Sequence, residues 1–167
     1  MVDQLPYSLL FRAVEYEVLE ACQQHKVPVL AYSALAQGLL TGKFSSPADV
    51  NDERARIRFY SKERPGTVHE EEGYEEQISQ ALPRIRSICE SAGVSMPHTA
   101  ILWLLQRPAV EAILVGARTP DQVRRNAEAF NFVLPEHTVR ELEEVTDPLK
   151  AAMGPNPDMW RTASRFR

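Results

Sequence analysis

LAYSALAQGLLTGK at residues 30–43 and ILVGARTPDQVRRN at residues 113–126 decide how this chain is read. In each, a short apolar run opens at once into a stretch rich in groups that bind anions. The run 27–31 is followed by Tyr32, Ser33 and then Gly38, so a strand end presents an aromatic face, a hydroxyl and free backbone N–H groups in quick succession. The run 112–115 ends at Gly116, and a helix is predicted to begin after Arg118, with Thr119 as N-cap and Pro120 at its first position. Together they predict a site for a phosphorylated cofactor.

Arg118 carries the sharper physical argument. A cation just outside a helix N-terminus opposes the positive end of the macrodipole and costs about 0.3–1 kcal/mol when exposed. A bound anion reverses that sign, and a guanidinium offers fork-like donors to its oxygens. Helical continuation places Gln122 and Asn126, at four-residue steps from Arg118, on one face. Arg125 is placed to assist, whereas Arg124 faces solvent.

Longer stretches extend the pattern. QLPYSLLFRAVEYEVLEACQQHKVPVLAYSALAQGLLTGK (residues 4–43) and SMPHTAILWLLQRPAVEAILVGARTPDQVRRNAEAFNFVLPEHTVRELEEV (residues 95–145) resemble the aldo-keto reductase family, the NADP(H)-dependent oxidoreductases built on a (β/α)8 barrel. The first is similar to that family's sixth strand, sixth helix and seventh strand. The second is similar to the seventh helix, eighth strand, eighth helix and the accessory helix that follows. The likeness runs over about residues 3–146, with 44–76 its weak part, and two separate motifs in the right order make it specific.

The resemblance implies an α/β fold: a partial TIM (β/α)8 barrel, its last three strand-helix units plus an accessory C-terminal helix. Residues 1–146 form this barrel part, with a long loop at 44–76, and residues 147–167 form a tail. It implies that Tyr32 stacks on the nicotinamide and that Gln4 hydrogen-bonds its carboxamide. Ser33, Leu35, Gln37, Gly38 and Leu39 match the loop that wraps the pyrophosphate. Ala34 stands where proline is usual, so this loop is expected to be less rigid. Gly116, Arg118, Gln122 and Asn126 match the positions that hold the 2′-phosphate and adenine of NADP(H). The implied activity is reduction of an aldehyde or ketone to an alcohol, on a small-molecule carbonyl substrate.

A complete barrel of this type needs roughly 250 residues, and the chain has 167. The family's Asp, Tyr, Lys and His lie on the early strands, which are not found here, so no catalytic residue is assigned and the isolated chain is expected to be inactive. A truncated frame, a spliced form or a fragment is expected. A non-catalytic nucleotide-sensing subunit, like the family's channel-associated members, is the alternative, as is a fragment with no function of its own. Three strands cannot close a barrel, so self-association through the exposed edge is expected.

Composition sets further bounds. Apolar residues at 44% and charged residues at 25% suit a soluble globular domain. A net charge of −4 gives no drive towards nucleic acid. No run approaches the ~20 apolar residues of a membrane span, and no signal peptide is visible, so a cytoplasmic location is expected. Cys22 and Cys89 stand apart and read as buried reduced thiols. His25, His69, His98 and His137 each lack a partner for a base or a metal site, and no metal centre is predicted.

Periodicity fills in the rest. Val14, Val18, Leu19 and Cys22 predict a helix over 13–25. Segment 44–76 is either a long surface loop or a partly helical insertion, with Glu70, Glu71 and Glu72 solvated. Ile78, Leu82, Ile85 and Cys89 predict a helix in which Pro83 marks a kink or a later start. A helix opens at Ser95 and Pro97, with Trp103 as core packing, and the last helices are expected over 119–131 and about 135–146. The tail from Asp147 shows no period and reads as a frayed terminus, or else as a segment folded over a substrate.

Overall fold

The computed structural model describes residues 1–165. Its centre is a three-stranded parallel sheet in the order β1 (Asp3–Pro6), β2 (Val29–Tyr32), β3 (Val110–Leu114). Gln4 pairs with Leu30 and Pro6 with Tyr32, while Leu30 and Tyr32 pair on the other side with Ala112 and Leu114. Strand β2 is therefore central, and β1 and β3 each keep an unpaired edge. The two sheet faces differ: Leu5, Val29 and Ala31 are buried, whereas Gln4 and Leu114 on the other face are exposed.

The helices cover the first face. Residues 13–25 do not form one helix, because a 3-10 turn (Ala13–Glu15) precedes α1 (Val18–Gln24). The break falls where Glu15 turns inward to accept from Arg12 Nε at 2.9 Å, Tyr7 Oη at 2.8 Å and Lys150 Nζ at 2.8 Å. Helix α2 (Glu75–Ser91) buries Ile78, Leu82, Ile85 and Cys89, as their spacing predicts. Pro83 neither ends it nor delays its start, since Pro83 and the Ser79 carbonyl it leaves unbonded both face solvent. Helix α3 (Met96–Leu105) is nearly all buried, with Trp103 wholly enclosed. Cys22 and Cys89 are buried free thiols.

Helix α4 (Pro120–Ala127) continues as a 3-10 turn (Glu128–Asn131) and is followed by α5 (Glu136–Met153). Helix α5 runs about two turns past the expected end. Leu142, Val145 and Thr146 are followed on the same buried stripe by Leu149 and Met153, while Pro148 points outward and costs no buried hydrogen bond.

The tail beyond α5 is folded, not frayed. Asp158 and Met159 are fully buried. Arg58, itself only 2% exposed, donates to the carbonyls of Met153, Asn156 and Asp158 and pairs with Glu71 at 2.7 Å. A buried guanidinium survives when every donor finds an acceptor, and this one ties segment 44–76 to the tail. That segment is consequently no solvated loop: Ile57, Phe59 and Tyr60 join the core, and Glu71 faces Arg58 and Tyr74 rather than water. Gly73 permits the packing, because a Cβ there would lie 2.4 Å from the Tyr60 backbone.

Candidate functional site: an anion-binding cleft at the strand ends

A cleft of about 1410 Å³ opens beyond the C-terminal ends of β2 and β3. One wall is the segment after β2, where Ser33 leads into two 3-10 turns (Ala36–Thr41) joined across a kink. Ser33, Ala36, Gln37 and Gly38 all have positive φ, at 60°, 47°, 55° and 102°. Three of these four carry a Cβ, so the backbone stores strain that its surroundings must hold. Ala36, Leu39 and Leu40, with no exposed surface, supply that hold. At Gly38 a Cβ would stand 3.3 Å from Phe44 Cε2. Arg86 closes the far end by donating to the carbonyls of Gly42 and Phe44. Two N–H groups expected to be free close turns instead, Ala36 onto Ser33 O and Gly38 onto Leu35 O, both at 2.8 Å.

The other wall is the start of α4. Thr119 is the N-cap, its Oγ1 accepting from Gln122 N at 3.3 Å, and Gln122 Oε1 reaches back to accept from Arg118 N at 2.6 Å. The two satisfy orphan donors reciprocally, in the manner of a capping box. Gln122 and Asn126 are the two half-buried residues of the helix, on one face, and both line the cleft with Arg118. Arg124 faces solvent and pairs with Asp121 at 2.6 Å.

Charge and hydrogen bonding suit an anionic ligand. Five cations line the cleft, Lys43, Arg54, Arg86, Arg118 and Arg125, against two carboxylates, Glu90 and Glu128. Among the described residues no carboxylate pairs with the Arg118 side chain. Gln37 also lines the cleft, and its Oε1, without a partner among the described residues, is an acceptor suited to a hydroxyl or amino group and not to an anion.

Of the residues singled out from sequence, Ser33, Leu35, Gln37, Gly38, Gly116, Arg118, Gln122 and Asn126 meet in this cleft. Leu39 is wholly buried in the core, and Gln4 and Tyr32 lie on the less covered sheet face, off the cleft lining. The Trp160 side chain donates to the Tyr32 hydroxyl, while burial and the Asp158 carboxylate raise the phenol's pKa. Asp158 anchors that contact. Burial alone would raise its carboxyl, but Arg165 and the backbone N–H groups of Trp160 and Arg165 hold it down to about 2.

Sequence reasoning missed His98 and Arg86. His98 lies in the cleft wall with its Nε2 2.7 Å from Arg125 O, and its only advance signal was its place in the first turn of α3. Among the described residues no cluster of His, Cys, Asp and Glu could hold a metal, and no helix is long and apolar enough to cross a membrane.

The sequence pattern of the Aldo/keto reductase family matches residues 1–147, and the chain belongs to that family. It is 29% identical over 149 residues to an NADH-specific methylglyoxal reductase of Escherichia coli, covering 89% of this chain and 43% of that protein. It is 32% identical to Protein tas of the same organism, covering 85% of this chain and 38% of the relative. Among solved structures, glycerol dehydrogenase AKR11B4 from Gluconobacter oxydans superposes with a TM-score of 0.64 at 29% identity, over 93% of this chain and 43% of that one. The chain thus spans about two-fifths of the length of these relatives.

Proposed function

We propose that the cleft holds the phosphate-bearing part of a nicotinamide dinucleotide, NADPH in preference to NADH, within an oxidoreductase that interconverts a carbonyl compound and an alcohol. The observation that carries this is Arg118, a cation with no carboxylate partner among the described residues, beside the start of α4 and facing a cleft with an excess of positive charge. Gln122 and Asn126 line up behind it, as an adenine site requires in the family. One relative is described as NADH-specific, so the preference rests on Arg118 and not on family membership. Fluorescence titration with both cofactors tests it: tighter binding of NADPH is expected, and equal affinities would refute the assignment.

A bound cofactor supplies hydride, and the chain's residues supply its grip. Hydride transfer to a carbonyl leaves an oxyanion that needs a proton, and general acid catalysis contributes about 10²–10⁴-fold. No tyrosine lines the cleft among the described residues, and Tyr7 is buried with its hydroxyl committed to Glu15. We therefore propose that these residues bind cofactor without completing turnover, and that strands pairing with the open edges of β1 and β3 bring the acid. Exposed Leu114, Val123, Phe130 and Val133 support such an association, in a second copy or a complementary half. NADPH oxidation with a panel of aldehydes should be negligible for the chain alone and appear when a family N-terminal half is added.

A further inference from the structure

Helix α4 carries two of the residues assigned to the cofactor, Gln122 and Asn126, with Arg118 just ahead of its cap, yet none of its residues is buried. Eight residues are too few for a helix to hold itself in water, so its place must be set from outside. The side chain that reaches it is His98, from the first turn of α3. Its Nε2 lies 2.7 Å from the carbonyl of Arg125, in the last turn of α4, where helices leave carbonyls without intrahelical partners. Its ring packs on Phe132, centroids 5.3 Å apart, just beyond the 3-10 turn that extends α4. A carbonyl only accepts, so Nε2 carries a proton and donates it to Arg125 O.

The two ends of this contact differ in how firmly they are held. Helix α3 is fixed by Met96, Thr99, Ala100, Ile101, Leu102, Trp103 and Leu104, all buried, and by the Ser95 cap on His98 N. Helix α4 has no such anchor. We propose that His98 is a positioning residue that clasps α4 to the body of the protein and so sets the spacing between Arg118, Gln122 and Asn126 and the opposite wall at 36–41. The role in ligand positioning rests on the reading of the cleft as the cofactor site; the clasp itself does not.

Amide hydrogen exchange and NADPH fluorescence titration on this chain separate the two. In His98→Ala, exchange over residues 120–131 should accelerate up to about tenfold, the worth of one such hydrogen bond, while α2 and α5 stay unchanged. The NADPH Kd should rise by a similar factor. His98→Gln, which keeps an N–H donor at comparable reach, should recover most of both effects, whereas His98→Phe, which keeps only the stacking, should not. Unchanged exchange in α4, equal acceleration throughout the chain, or recovery by Phe but not Gln would each overturn the clasp. Faster exchange with an unaltered Kd would overturn its part in positioning. If the unmutated chain binds no NADPH, the cofactor reading falls, and exchange alone still decides on the clasp.

Discussion

The two walls of the cleft are built on opposite principles. The wall at residues 36–41 sinks Ala36, Leu39 and Leu40 into the core and holds a run of positive-φ residues against it. The α4 wall buries nothing and stands on its cap, on Thr119, Gln122 and the reach of His98. A strained backbone persists only where its surroundings over-determine it, so the first wall is a fixed template. A helix with few buried contacts sits at the low end of local stability, so the second is free to adjust to a ligand. Substitutions in the first should therefore be felt by the whole domain, and substitutions in the second by the ligand.

The largest effect that would break this comparison is Leu40→Ala. It removes a fully buried side chain beside the strained turn and is expected to lower unfolding free energy by about 2–5 kcal/mol in urea titration. Val123→Ala on the exposed face of α4 should change it by less than about 0.5 kcal/mol. Comparable losses at the two positions would mean that the walls are equally anchored.

Next comes Arg118→Ala. Losing a charge-assisted contact costs about 1.5–3 kcal/mol, so the ratio of NADH to NADPH dissociation constants should collapse by roughly tenfold or more, with urea stability unchanged. Gly38→Ala should do the reverse. At φ 102° with Phe44 at 3.3 Å, a Cβ is strained, and about 1–3 kcal/mol of stability should be lost, with both cofactors weakened alike and no change in their ratio.

Acid should separate the walls more gently. Segment 44–76, which continues the first wall, contains His69, buried at 5% exposure with Nδ1 accepting from Glu71 N. Burial lowers its pKa below the ordinary 6.5. The unfolded chain therefore binds a proton before the folded one does: the stabilisation is complete above about 6.5 and is lost as pH falls through the lowered folded value. Urea stability should decline on going from pH 7 towards 5, and His69→Gln should flatten the profile.

Much of this was legible in the sequence, and the unread parts share a cause. The buried stripe of α2, the enclosure of Trp103 and the shared face of Gln122 and Asn126 follow from local periodicity and capping, which a linear reading captures, and the parallel strands follow from the family resemblance. Arg58, Asp158 and His98 do not. Each is a polar residue whose place depends on contacts that periodicity does not encode: Arg58 on carbonyls near residue 156, Asp158 on the turn that brings Arg165 to its carboxylate and Arg58 to its carbonyl, His98 on Arg125. The last turns of α5 went unread for a related reason: the tail from Asp147 shows no period on its own, and the burial of Leu149 and Met153 belongs to the tertiary fold.

Thr119→Ala is the smallest and most discriminating change. The Thr119 hydroxyl accepts from Gln122 N, and Gln122 in turn accepts from Arg118 N, so removing the hydroxyl loosens one link of the cap while leaving every cofactor-facing side chain in place. Loss of such a cap costs about 0.5–2 kcal/mol of helix stability. If α4 opens independently of the core, that cost falls on local opening alone: exchange of the amides in 120–127 should accelerate, while the urea midpoint moves by less than the equivalent of about 0.5 kcal/mol. NADPH binding should weaken modestly, because part of the binding energy is then spent on ordering the helix. If α4 were instead as firmly built in as the opposite wall, the same substitution would shift the urea midpoint by the full cost of the cap and leave local exchange in step with global unfolding. The contrast between a rigid wall and an adjustable one would then be wrong.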